Sequence, residues 1–151
     1  MSEHHAAVVW RRAGADFTYE GYSRDHDMVF KDGRIVMAAS AAPSFRGDAA
    51  RVDPEEAFVA ALASCHILSF LAICARGRIA VDAYEDAAIG YLEKGENGKL
   101  WMARVVLRPR VRFGPGCDIS AKMLAGIHRD AHEDCFIARS VNTNVTVTLP
   151  D

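Results

Sequence analysis

The stretch DPEEAFVAALASCHILSFLAICARG, Asp53 to Gly77, decides the fold. Asp53 suits a helix N-cap, Pro54 the first helical position, and Glu56 the place from which a capping-box carboxylate reaches back. Gly77 suits the C′ position that closes a helix. Between these signals Phe58 to Phe70 is apolar nearly all round, and a helix of that kind must be covered on every side. One sheet covers one face. A second helix or a partner chain must cover the rest, so the sequence predicts a homodimer. The run is also long enough for a membrane span, but Ser64, His66, Ser69 and its many alanines favour a core or interface helix.

Working outward, AAVVWRR and DFTYEGY read as short strands near the N-terminus. DMVFKDGRIVMAA sets Asp32-Gly33 between two apolar runs, the signal of a two-residue hairpin. Arg46 lies in the irregular stretch APSFRGDAARV that leads into the helix. Beyond the helix, YEDAAIGYLE and LWMARVVLRPRVRF flank the turn KGENGK, and Pro109 marks an edge or bulge. CDISAKMLAGIHRDAHEDC is a second amphipathic helix with Leu124, Ile127, His128, Ala131 and Cys135 along one stripe. VNTNVTVTLP closes the chain as an alternating strand. The order strands, helix, strand pair, helix, strand predicts an α+β fold with largely antiparallel sheets, in one domain over residues 1–151.

The bulk numbers bound the partners. The 151 residues are 50% hydrophobic and 25% charged, an ordinary globular composition. A formal charge of −2 argues against nucleic acid or an acidic membrane surface as a main partner. The four arginines of RVVLRPRVRF alternate largely with apolar residues and read as the solvated face of a strand. MSEHHAAVVWRR lacks the pattern of a secretory signal, which predicts a cytoplasmic protein. In that compartment four cysteines are free, catalytic or metal-binding rather than structural disulfides.

Cys65 and Cys135 each fall near the inner face of a different helix. Two helices stacked on one sheet could bring them within the ~7 Å between Cα atoms that a disulfide needs; otherwise both are core residues. Only a thiolate reacts, and Cys65 lies too far past Pro54 for the helix dipole to help. A cation must reach it from elsewhere. Arg46 is the candidate, held by an ion pair with Glu55. Glu55 precedes Cys65 by ten residues, or ~15 Å along a helix, so the two cannot readily touch within one chain. A site shared between protomers follows as an expectation. His66, His128 and His132 could join the cysteines around zinc, but no CxxC or HExxH is present, and no metal is expected. Cys74 falls on the far side of the helix as core, and Cys117 in a loop.

DPEEAFVAALASCH resembles the signature of the OsmC/Ohr family: a Pro-Glu-Glu helix start, then alanine-rich turns leading to a cysteine. AHEDC, Ala131 to Cys135, resembles the family's second motif, and the element order fits along nearly the whole chain. The resemblance implies an intertwined homodimer that reduces organic hydroperoxides in oxidative stress defence. Cys65 would be the peroxidatic thiol, Cys135 the resolving one, and Arg46 and Glu55 the pair that activates Cys65. Arg51 and Arg24 are rivals for the arginine. No cofactor is bound; an external dithiol, which the family suggests is a lipoyl group, would reduce the bridge. Phe136 stands where the family commonly has proline, and His66 where an apolar residue is usual, which marks a divergent branch. The competing reading is a non-enzymatic binder of small apolar ligands with both cysteines as core.

Overall fold

The computed structural model describes residues 1–150. The chain divides into two compact units, Met1–Ala57 and a second beginning at Phe58. In the first, β1 (Ala6–Val9), β2 (His26–Phe30) and β3 (Ile35–Ala39) form an antiparallel sheet in that order. The hairpin predicted at Asp32-Gly33 is present, but its loop is four residues, Lys31 to Arg34, because Phe30 pairs with Ile35. Lys31, Asp32 and Gly33 all take positive φ.

DFTYEGY is a turn and not a strand. The Asp16 carboxylate accepts from Thr18 N–H, and the Thr18 hydroxyl and carbonyl accept from Gly21 N–H. Side chains that capture the backbone locally leave it nothing to offer a sheet.

Helix α1 spans Pro54–Arg76 and starts as the sequence predicts. Glu56 N–H donates to the Asp53 carboxylate at 2.7 Å, and Asp53 N–H donates to the Glu56 carboxylate at 3.1 Å, a complete capping box. Its C-terminus departs from expectation by one residue. Arg78, at φ 58°, takes the left-handed position, with Ile79 N–H donating to the Cys74 carbonyl and Arg78 N–H to that of Ala75. This is a Schellman ending with Gly77 one place inside it.

The second unit carries two more sheets, one of two strands and one of three. The predicted strand pair is a single antiparallel ribbon broken on both sides. β4 (Val81–Asp86) pairs with β7 (Pro109–Phe113), and β5 (Ile89–Lys94) with β6 (Leu100–Leu107). The break is held by Arg108 N–H donating to the Asp86 carboxylate at 2.7 Å, just before Pro109, which has no N–H to give. The last strand, β8 (Asn144–Val147), runs parallel to β6 and completes a mostly antiparallel α+β architecture. Arg104, Arg108, Arg110 and Arg112 are exposed, as the alternation predicts.

Two clusters form the core of this unit. Leu62, Val105 and Leu107 join Phe58, Val59, Met102 and Val145 where α1 lies over β5–β6–β8. The approach is close: a Cβ on Gly90 would stand 2.5 Å from Val59 Cγ2. Farther along, Phe70 and Cys74 of α1 meet Ile127 and Ala131 of α2 (Ala121–Asp134), with Val81, Val111 and Phe113 beneath. The Ser120 hydroxyl caps α2 by accepting from Met123 N–H. Cys74 is core, as expected. Leu62→Ala, at a position 1% exposed, is expected to cost about 2–5 kcal/mol in urea unfolding. A loss under ~1 kcal/mol would mean that Leu62 is not seated on this sheet.

Candidate active site

Two residues of α1 turn inward side by side, Cys65 (8% exposed) and His66 (buried), and each meets a partner from α2. Cys135, the C-cap of α2 and 1% exposed, is within hydrogen-bond reach of Cys65, and both are free thiols. Burial and the hydrogen bond to Cys65 push the Cys135 thiol up to about 11, so Cys135 keeps its proton. Its sulfur also accepts from Ala138 N–H at 3.5 Å, in the short 3-10 turn region after the helix. Phe136, which stands in place of the family's proline, points into solvent.

His66 Nε2 lies 3.0 Å from His128 Nδ1, with one nitrogen donating and the other accepting. The two rings are nearly coplanar in orientation, at 5°, and His128 stacks on Phe70 with centroids 4.4 Å apart. Burial lowers both imidazoles to about 4, and in His66 the neighbouring His128 and His132 lower it further. Both are therefore neutral near pH 7. The sequence places His128 on the inner stripe of α2, but the pairing with His66 depends on how two helices register and carries no local signal. Among the described residues no group of three or more His, Cys, Asp or Glu side chains is arranged to hold a metal.

The first unit presents the other predicted residues. Arg46 takes φ 66° at the end of a 3-10 turn, Pro43–Phe45, and its N–H donates to the Pro43 carbonyl. The loop is tied down by buried Ser40, whose hydroxyl donates to Asp25 and accepts from Asp48 N–H. Arg51 joins the same network, 3.5 Å from Asp25 and 3.4 Å from Asp48. Arg24 donates to the carbonyls of Tyr19 and Tyr22 and lies over the Tyr22 ring. Both rivals are thus engaged, whereas Arg46 lies 5.7 Å from the Tyr19 ring centroid and has no carboxylate partner among the described residues. The expected Arg46–Glu55 ion pair is not formed. Glu55 instead has a buried carboxylate oxygen, Oε2, with no hydrogen-bond partner. The same unit holds an aromatic-walled cavity of about 520 Å³, lined by Trp10, Phe17, Tyr22, Arg24 and His26.

Residues 47–150 match the family model described as OsmC-like protein, and the chain belongs to that family. The chain is similar to an OsmC-like protein of unknown function from Vibrio cholerae, with 46% identity and a TM-score of 0.93, covering 99% of this chain and 100% of the other. The organic hydroperoxide resistance protein OhrB of Bacillus subtilis shares the fold at 21% identity and a TM-score of 0.69, covering 97% of this chain and 98% of the other. An organic hydroperoxide resistance protein from Elizabethkingia anophelis does so at 15% identity and a TM-score of 0.70, covering 98% and 95%. Among curated proteins none matches the sequence.

The histidine pair has a consequence for stability. Imidazoles held near 4 when folded but titrating near 6.5 when unfolded give the unfolded chain the greater proton uptake between these values. Their contribution is therefore complete above pH 6.5 and is lost as pH falls toward 4. Urea unfolding is expected to weaken over that window with a limiting slope of about 1.4 kcal/mol per pH unit for each imidazole. A histidine signal in the folded protein that titrates near 6.5 for both residues would contradict this.

Proposed function

We propose that the chain is a thiol peroxidase that reduces organic hydroperoxides through a two-cysteine cycle. The observation that carries this reading is the contact between two buried free thiols, Cys65 and Cys135, supplied by separate helices. Packing needs no such meeting; a redox pair does. Membership of the OsmC-like family and the fold shared with proteins named for organic hydroperoxide resistance support it.

Cys65 thiolate attacks one peroxide oxygen. The O–O bond breaks, alcohol leaves after taking a proton, and Cys65 becomes a sulfenic acid. Cys135, which holds its proton until then, gives it to the departing hydroxide as its sulfur bonds to Cys65, releasing water. The disulfide ends the turnover and protects Cys65 from sulfinic acid. An external dithiol, a lipoyl group by family resemblance, restores both thiols by exchange. Arg46 is the cation for the attacking sulfur and Glu55 its anchor in the dimer, where the buried carboxylate oxygen that has no donor within one chain would find one.

The acting species is a homodimer with shared sites. Along α1, Ala61, Ser64, Leu68 and Ala72 are exposed at helical spacing, and Leu68 is 65% exposed. In β3, Ile35, Val36 and Met37 are exposed as well. A second copy is the simplest cover for apolar surface on that scale. A protein that sediments as a fully active single chain would remove the shared-site part of the proposal.

A second reading, a cytoplasmic binder of small apolar ligands with no chemistry, draws on the aromatic-walled cavity of the first unit. Steady-state assays with cumene hydroperoxide and dihydrolipoamide separate the two. Cys65→Ser should abolish turnover, and Cys135→Ser should allow about one turnover per site before stalling. Equal activity in wild type and Cys65→Ser, or none in either, would leave the binder.

A further inference from the structure

The thiols are poorly equipped to hold themselves in place. Cys135 is the C-cap of α2, where the backbone has already left helical geometry at φ −74° and ψ 95°. A thiol is a weak hydrogen-bonding group. The other side chains that join the two helices, Phe70 and Cys74 against Ile127 and Ala131, make apolar contacts, which have no preferred direction and tolerate sliding. The His66–His128 bond does not tolerate it. One residue of slip along either helix shifts a side chain by ~1.5 Å, and the 3.0 Å between Nε2 and Nδ1 then passes out of hydrogen-bond range. Both rings are closed in, at 0% and 2% exposed, so a broken bond leaves buried nitrogens unpaired. Phe70, one turn after His66, braces the His128 ring from its face.

His66 follows Cys65 directly on α1, and His128 precedes Cys135 by seven residues, close to two turns along the same face of α2. The hydrogen bonds of the Cys135 sulfur go to Cys65 and to the backbone of Ile137 and Ala138. The imidazoles therefore reach the thiol through the helix and not by touch. We propose that His66 and His128 are positioning residues for the resolving step: their N–H···N bond sets the register of α2 against α1 and keeps Cys135 within reach of Cys65. The inference rests on the thiol-peroxidase reading. In that step the Cys135 sulfur bonds to the Cys65 sulfur, the S–O bond of the sulfenic acid breaks, and the oxygen leaves as water with the Cys135 proton. A second peroxide competes for the same sulfenic acid and carries it to sulfinic acid. Lost register thus shows as over-oxidation of Cys65, not as slower attack on the first peroxide.

The test compares wild type, His66→Gln, His66→Leu and the double variant His66→Leu/His128→Phe. Gln keeps an amide near the position of Nε2 and so keeps the bond to His128. Leu removes the bond. The double variant also removes the orphaned acceptor and leaves a ring on Phe70, so it should fold with near wild-type stability. Quenched mass spectrometry after cumene hydroperoxide should show Cys65 oxidised at the wild-type rate in all four. Bridging should stay close to the wild-type rate in His66→Gln and fall at least ~10-fold in both Leu variants, with sulfinic acid accumulating at Cys65. Wild-type bridging in the folded double variant, or equal slowing in His66→Gln and His66→Leu, would overturn the proposal. One measurement needs no variant: nitrogen-to-nitrogen scalar coupling across the histidine pair is expected in both the reduced and the bridged protein, and its absence from the reduced protein would also overturn it. Diamide, an azo oxidant that joins neighbouring thiols as it is reduced to the hydrazine, should rank the four proteins in the same order. Cumene hydroperoxide inert toward Cys65 in all four would overturn the peroxidase reading, while the diamide ranking would still decide the positioning.

Discussion

Helix α1 is apolar around its whole circumference, and that constraint governs the second unit. No single sheet can cover such a helix. Its N-terminal half is seated on β5–β6–β8 through Leu62, and its C-terminal half is wedged between β4–β7 and α2 through Phe70 and Cys74. The ribbon that carries these strands breaks at Asp86 and Pro109, so one pair of strands serves two halves of one helix. A face remains uncovered, marked by Leu68. The same surplus of apolar surface that organises the core therefore argues for a partner.

Within so apolar a helix, His66 is a polar side chain turned fully inward, and Cys65 is buried beside it. A buried polar group must find a partner or cost stability. Both find one on α2, in Cys135 and His128, so two adjacent polar contacts pin the register of one helix against the other. The thiol pair and the histidine pair thus rest on the same two helices. The stacking of His128 on Phe70 ties the imidazole to the hydrophobic cluster.

What was legible in the sequence was what is decided locally. The capping box at Asp53 and Glu56 uses atoms three residues apart, and the stripe of α2 follows from helix period. Competition between local effects was harder to read. DFTYEGY has strand-like composition, yet Asp16 and Thr18 hold its backbone in a turn. The long strand pair looked continuous because the Asp86–Arg108 contact that breaks it spans residues far apart in sequence. The cysteines are legible as inward-facing but not as touching, and His66 and His128 are legible only as candidate zinc ligands, not as a hydrogen-bonded pair. Arg46 was identified as a loop residue, but the ion pair foreseen with Glu55 is absent, and the arginine's neighbour is Tyr19.

The central claim is that Cys65 is a reagent whose first product is captured by Cys135. The most direct measurement adds one equivalent of cumene hydroperoxide to the reduced protein and maps the thiols by intact and peptide mass spectrometry. The account predicts rapid loss of two hydrogens, located in a Cys65–Cys135 disulfide, with Cys74 and Cys117 unchanged. Four intact thiols after exposure to peroxide, or a bridge that excludes Cys65, would contradict it.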